Sequence, residues 1–281
     1  MLTRETNFGP TRVQLDYRFH DDGSIRCITI SPLTEGVVTG TGLRALLTEA
    51  EAAIAAQATS GSRSPGVAFI YTSALTEADA VQFVDAGFHV RAELALLTRN
   101  IERGLFGGIH RALRRSDPHR GHNRNSRGDI KIVRGSHDRI EEALEVDQSA
   151  FAHGWAMDMH DLTGALKATP TTRLHLALDG TTVVGFAVTG RANRRGYLQR
   201  LAVQPHFQGR GLGAALVHAS IDWASSRDVK RLIVNTQTDN LNALRLYERA
   251  GFVRSSFGLV LLEYPLQTAG GAPPTQVRRD G

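Results

Sequence analysis

Along this chain, runs in which apolar and polar residues alternate give way to runs in which apolar residues recur every three or four positions. Alternation marks a half-buried strand and the longer period an amphipathic helix. Two regions carry both patterns, residues 11–99 and residues 129–266, and the segment between them carries neither. In the second region the pattern predicts a strand at Ile130–Arg134 and a helix from about Asp138 to Phe151. A partly helical stretch over Ala156–Ala168 follows, then strands near Arg173–Leu178, Thr182–Thr189 and Tyr197–Val203. A long helix is expected from about Gly211 to Arg227, a strand over Arg231–Thr236 and a helix over Asn240–Ala250. A closing pair of strands is expected within Phe252–Tyr264.

At 281 residues the chain has the length of about two domains. Its 41% hydrophobic and 22% charged residues exclude disorder throughout. Cys27 is the single cysteine, so an intrachain disulfide and a multi-thiolate zinc site are both excluded. In the strand-like run Ile25–Ile30 it reads as a small buried hydrophobe, with a nucleophile as the other possibility. Met1–Asp16 is polar and has no apolar core of the signal-peptide kind. No apolar run approaches the ~20 residues that span a bilayer. The expectation is a soluble cytoplasmic protein without a membrane partner. The Gly/Pro-rich polar tail, residues 267–281, is expected to be disordered.

The formal charge of +5 invites a nucleic-acid partner until it is located. Between residues 99 and 128 there are eight arginines against only Glu102 and Asp117. That segment carries a net +6 and leaves −1 for everything else. Phe106 is its one aromatic residue, and no recognised DNA-binding motif is present, which argues against nucleic acid. A solvated linker and a docking strip for an acidic partner both remain open for this segment.

The chemistry concentrates in Tyr197–Leu216, YLQRLAVQPHFQGRGLGAAL. A strand runs into Pro205, and QGRGLG, Gln208–Gly213, opens a helix. Glycines let a backbone approach an anion closely. The first N–H groups of a helix lack intrahelical partners, and its dipole favours negative charge there. A pyrophosphate suits such a site. The dinucleotide spacing G-x-G-x-x-G does not match, and no Gly-Lys-Ser/Thr follows as in a P-loop. A ligand-free strand-to-helix turn is the bland alternative. Further on, Asn235–Phe252 reads NTQTDNLNALRLYERAGF. Asn240 and Tyr247 are seven residues apart, so one helix carries both on nearly one face, about 10 Å apart along its axis.

Together, QGRGLG and N-x-x-A-x-x-x-Y-x-x-x-G-F, in this order and separation, resemble the GCN5-related N-acetyltransferase (GNAT) family over about residues 129–264. The stretch Arg194–Val203 looks like actinobacterial members. The resemblance implies an α/β fold, a mixed and mostly antiparallel sheet flanked by helices. It implies an acetyl-CoA-dependent N-acetyltransferase that needs no metal and acts on an amine of unknown identity. It places Gln208, Gly209, Arg210, Gly211, Leu212 and Gly213 on the pyrophosphate of acetyl-CoA. It places the strand end Leu201, Ala202 and Val203 along the pantetheine arm, with a backbone N–H there for the oxyanion. It sets Asn240 against the same arm and makes Tyr247 the general acid for the leaving thiolate. Arg210 and Arg245 either meet CoA phosphates or are solvated. Many relatives carry a glutamate base on the strand before the loop, where this chain has Gln199 and Arg200. His153, Asp158, His160, Asp161 and Glu263 are the remaining candidates for a base. A homodimer is compatible with the family.

The same pattern recurs faintly in the first half. Ile30-Ser31-Pro32 resembles Val203-Gln204-Pro205, and Thr39–Leu47, TGTGLRALL, resembles QGRGLGAAL, with Arg44 in place of the third glycine. Thr76–Phe88 aligns with Asn240–Phe252 at a constant offset, putting Thr76 at the place of Asn240 and Phe83 at that of Tyr247. The expectation is two tandem GNAT-like domains. Residues 11–98 form a degenerate copy, 99–128 the Arg-rich linker, 129–266 the catalytic domain and 267–281 the tail. Such tandems resemble mycothiol synthases, which makes a small thiol-related amine one conceivable acceptor. A non-catalytic acyl-CoA sensor is the alternative from another functional class.

Overall fold

A computed structural model describes residues 2–8, 11–19, 25–32, 38–58, 69–101, 130–152 and 154–266. His153, the tail 267–281 and all of the Arg-rich segment beyond Ile101 lie outside them. The chain divides into two compact units, Met1–Ala95 with Phe257–Gly281, and Leu96–Ser256. Each is mixed α/β.

The first unit contains β1 (Leu2–Phe8), β2 (Thr11–Phe19), β3 (Ile25–Pro32), α1 (Gly40–Ala58), β4 (Phe69–Thr72) and α2 (Glu77–Asp85). The unit boundary falls inside β5 (His89–Asn100). β1 to β3 form an antiparallel meander, and β3 pairs with β4 in parallel across the α1 crossover. Ile30, Leu43, Leu46, Ile70 and Phe83 are fully buried in one core, and Phe83 meets Phe88 edge to face at 5.3 Å. Thr76 caps α2 by accepting from the Asp79 N–H at 3.2 Å.

The second unit follows with β6 (Lys131–Arg134), α3 (Ile140–Ala150), α4 (Met159–Lys167), β7 (Thr171–Asp179), β8 (Thr182–Ala192) and β9 (Arg195–Val203). It continues with α5 (Leu212–Ser226), β10 (Arg231–Gln237), α6 (Leu241–Arg249) and β11 (Val253–Arg254). Strands β6 to β9 are antiparallel neighbours, and β10 joins β9 in parallel. On one face Leu174, Leu176, Phe186, Val188 and Ala202 pack with Ile140, Ala143 and Val146 of α3 and Leu162 of α4. Alternation along β8 sends Gly185 to the other face, where a Cβ would lie 3.3 Å from Leu216 of α5. The sheet is thus covered by helices on both sides. The expected elements from Ile130 to Ala250 are present with ends shifted by a few residues.

The chain's last strand departs from expectation. The expected closing strands form as β11 and β12 (Leu259–Pro265), but β12 lies in the first unit, antiparallel to β4, rather than with the rest of the domain expected over 129–266. Its Leu262 is fully buried in that unit's core, and the Leu262 N–H donates to Thr72 Oγ1 at 2.9 Å. The pattern of LVLLEYP specifies a strand but not its neighbour, because an edge of N–H and C=O groups pairs with any matching edge.

Candidate active site

The strand-to-helix loop is built by its glycines. Gly209 and Gly211 have φ of 72° and 84°, in the left-handed region, and open space surrounds the Cβ position of each. That conformation strains any residue with a side chain. Gly211 caps α5 with no side-chain hydrogen bond, so the first helical N–H groups stay available to an anion. Gly213 has a different reason: a Cβ there would meet Leu246 of α6 at 3.2 Å, so it serves helix packing. Gln208 turns back on its strand and donates from Nε2 to the Val203 carbonyl at 3.0 Å, fixing the loop. Leu212 is buried and anchors the start of the helix. The Arg210 guanidinium stands 5.1 Å from the Phe207 ring on the exposed loop.

The matching loop of the first unit is closed by its own side chains. The Gly40 N–H donates to Gln82 Oε1 at 3.1 Å and the Gly42 N–H to Thr39 Oγ1 at 3.2 Å. Arg44, at the place of Gly213, reaches the Asp85 carbonyl at 3.5 Å. Gln82 stands at the place of Leu246. A change from apolar to amide at that one position supplies the bond to the Gly40 N–H.

Between β9 and β10 the parallel ladder covers only Arg195–Tyr197 against Arg231–Ile233. β9 nevertheless stays paired with β8 as far as Val203. β9 therefore has no partner in β10 over Leu201, Ala202 and Val203; the backbone groups of alternate residues there point to β8, and those of the others to the side that β10 leaves open. A cleft of about 450 Å³ lies where the strands part, lined by Thr169, Tyr197, Gln199, Ile233 and Asn235 among others.

On α6, Asn240 is the N-cap, and its Oδ1 accepts from the Ala243 N–H at 3.1 Å. Its Nδ2 remains to donate. Tyr247 is 6% exposed and packs beside Phe252, with ring centroids 5.8 Å apart. Burial pushes the phenol up to about 12, and the nearby positive charge of Arg200 acts against that rise.

Several candidates for a base have local structural work. Asp158 and Asp161 form a reciprocal capping box at the start of α4, with Asp158 Oδ1 accepting from the Asp161 N–H at 2.7 Å. His160 is exposed on the same turn. Glu263 belongs to β12 in the first unit, 3.9 Å from Arg91. Sequence reasoning missed Asp147 of α3, which has no exposed surface. Arg200 grips it with Nε at 2.6 Å and Nη2 at 2.8 Å, and also donates to the Trp155 carbonyl at 2.8 Å. The Met157 N–H completes the site by donating to Asp147 Oδ1 at 2.7 Å. The available signal was an acid on the apolar stripe Ala143, Val146, Asp147, Ala150, which requires a cation partner.

Among the described residues no group of three or more acids, histidines or cysteines is arranged to hold a metal ion, and no helix is long and apolar enough to cross a membrane.

Residues 140–252 match the Acetyltransferase (GNAT) family. The chain is 37% identical over 60 residues to N-alpha-acetyltransferase 30 of Schizosaccharomyces pombe, covering 21% of this chain and 40% of that protein. It is 30% identical over 125 residues to mycothiol acetyltransferase of Propionibacterium freudenreichii, covering 41% of this chain and 40% of that protein. The chain thus spans about two fifths of the length of these relatives. Its fold is similar to that of a GCN5-related N-acetyltransferase from Kribbella flavida, with a TM-score of 0.57 at 15% identity, over 94% of this chain and 90% of that one.

Proposed function

We infer that this chain is a GNAT acetyltransferase, active in its second unit, that moves an acetyl group from acetyl-CoA to an amine. The observation that carries this reading is the joint placement of a glycine loop with no side-chain cap at the start of α5 and an opened edge of β9. The loop N–H groups of Gly209–Gly213 hold the pyrophosphate. Leu201, Ala202 and Val203 run beside the pantetheine arm, and a backbone N–H of that edge meets the oxyanion, where a preorganised donor is most effective. Gln208 supports the loop from behind, and the free amide N–H₂ of Asn240 faces the arm.

The amine nitrogen attacks the thioester carbonyl, the new C–N bond forms, the C–S bond breaks, and the nitrogen releases its proton to solvent. Tyr247 donates a proton to the departing sulfur. With its pKa near 12 the phenol is fully protonated at neutral pH. An exposed thiol of pKa about 8.5 would leave the transfer uphill by several units. A thiolate formed in the same apolar setting is made more basic by burial as the phenol is, so the two move together.

The first unit is a degenerate copy whose loop is self-closed and whose Phe83 has no proton to give. The acceptor does not carry over from the relatives, because their names specify different ones. Isothermal titration with acetyl-CoA tests the reading: micromolar binding that disappears in Gly211→Arg is expected, and no binding in the parent chain overturns it.

A further inference from the structure

We propose that Gln199 receives the acceptor: its carboxamide oxygen takes an N–H of the attacking amine, and the cleft it lines admits a primary amine carried on an uncharged, amide-bearing scaffold. This rests on the acetyltransferase reading and names the substrate class for that same site.

The β8–β9 ladder shifts register at Gln199. Val188 pairs with Arg200, but Thr189 pairs with Leu198, so Gln199 is an extra residue in a bulge. A bulge re-aims side chains. In a regular strand, Gln199 and Arg200 would point to opposite faces. Here both serve the face that carries α3 and α4. Arg200 bonds Asp147 of α3. The Gln199 carboxamide lies beside Thr169, just past α4; a Cβ on Gly190 would fall 2.9 Å from Gln199 Nε2 and 2.3 Å from Thr169 Oγ1. Gly190 therefore leaves the room that both side chains occupy.

The chemistry of the wall follows from this arrangement. The charge of Arg200 is consumed by Asp147. The cleft is lined by Gln199, Asn235, Thr169, Tyr197 and Ile233 among others, and the Thr169 hydroxyl is already bonded to the Thr171 carbonyl and to Thr172 Oγ1, both at 3.1 Å. All the lining residues are uncharged. The side-chain amides of Gln199 and Asn235 carry both a donor and an acceptor, which suits an amide. A polycation would exchange water for a wall whose described residues give it no counter-charge, at a cost in free energy. Gln199 Oε1 is buried and has no hydrogen-bond partner. The terminal torsion of glutamine is soft, so the oxygen surrenders no bond when it swings to an arriving N–H, and it gains one. An amide does not take up a proton at neutral pH. Gln199 therefore orients a neutral amine, with its lone pair directed at the thioester.

The test uses the full chain, release of CoA thiol as the readout, and three probes: L-alaninamide, the amide of Ala-Ala-Ala, and spermidine. At least one of the two amides is expected to exceed spermidine in kcat/KM by about tenfold, and the better of the two tells whether the scaffold is a small amide or a peptide N-terminus. Gln199→Leu is expected to raise KM for that probe by about tenfold, the worth of one hydrogen bond, with the Kd for acetyl-CoA within about twofold of the parent value. Gln199→Glu, which keeps an acceptor oxygen, is expected to retain most of the affinity. Preference for spermidine, no acetylation of either amide by a chain that binds acetyl-CoA, or an unchanged KM in folded Gln199→Leu overturns the proposal. A chain that does not bind acetyl-CoA overturns the acetyltransferase reading on which it rests.

Discussion

Arg200 of β9 and Asp147 of α3 form a two-pronged ion pair at 2.6 and 2.8 Å, with Asp147 wholly removed from solvent. The pair does more than join a strand to a helix. Arg200 also lies 3.6 Å from the centre of the Phe151 ring and donates to Trp155, so the segment between α3 and α4 is tied to β9 through one guanidinium.

Breaking this pair from either side strands a charge in the core. Asp147→Ala is expected to lower stability by about 3–5 kcal/mol, read as a shifted denaturation midpoint. The double variant Asp147→Leu with Arg200→Met removes both charges and should recover much of the loss. Equal losses in the single and double variants would mean that packing, not charge pairing, dominates this site.

Tyr247→Phe removes one oxygen from a buried position and keeps the ring contact with Phe252. Its fold and its affinity for acetyl-CoA should match those of the parent. Turnover should fall by about a hundredfold, the usual scale of a lost proton donor. Steady-state rates alongside calorimetric binding check this, and an unchanged kcat removes the acid role from Tyr247.

The two glycine loops make a stoichiometric prediction. Because Gln82 and Thr39 occupy the loop N–H groups of the first unit, one acetyl-CoA should bind per chain. Gly211→Arg should then leave no residual site. Gly209→Ala meets no neighbour within 4 Å, so its effect is backbone strain, a loss of about 1 kcal/mol in stability. A titration that saturates at two ligands per chain contradicts the closed first loop.

His175 of β7 sets a pH dependence. Burial, with the charge of Arg173 adding to it, lowers its pKa from 6.5 to about 4. The unfolded chain therefore binds the proton more readily between those values. The stabilisation is fully present above pH 6.5 and is lost as pH falls toward 4, at up to about 1.4 kcal/mol per unit. His175→Phe should flatten that part of the stability curve relative to the parent, and parallel curves for the two proteins would contradict it.

Much of the second unit was legible in its sequence. Periodicity located β7 to β10, α5 and α6, because one buried face imposes a repeat that neighbouring residues share. QGRGLG announced its own loop, since Gly209 and Gly211 adopt a conformation that excludes other residues at little cost only for glycine. Asn240 and Tyr247 kept their helical spacing. The functions of Gln208 and Gly213 were not legible, because their reasons are a carbonyl of the preceding strand and a leucine 33 positions away in sequence.

What the sequence determined by itself is the set of elements and the loop chemistry, since both depend on residues close together along the chain. The tertiary structure alone decided three things. It paired β12 with β4 of the first unit rather than keeping it with the elements of 129–256. It joined Asp147 to Arg200 across 53 positions. It inserted the bulge that turns Gln199 toward the cleft. In each case the choice of partner depends on which edges and charges meet when helices and sheet close on a common core. Local pattern can require that a buried acid find a cation or that a strand find an edge; only packing in three dimensions selects which one.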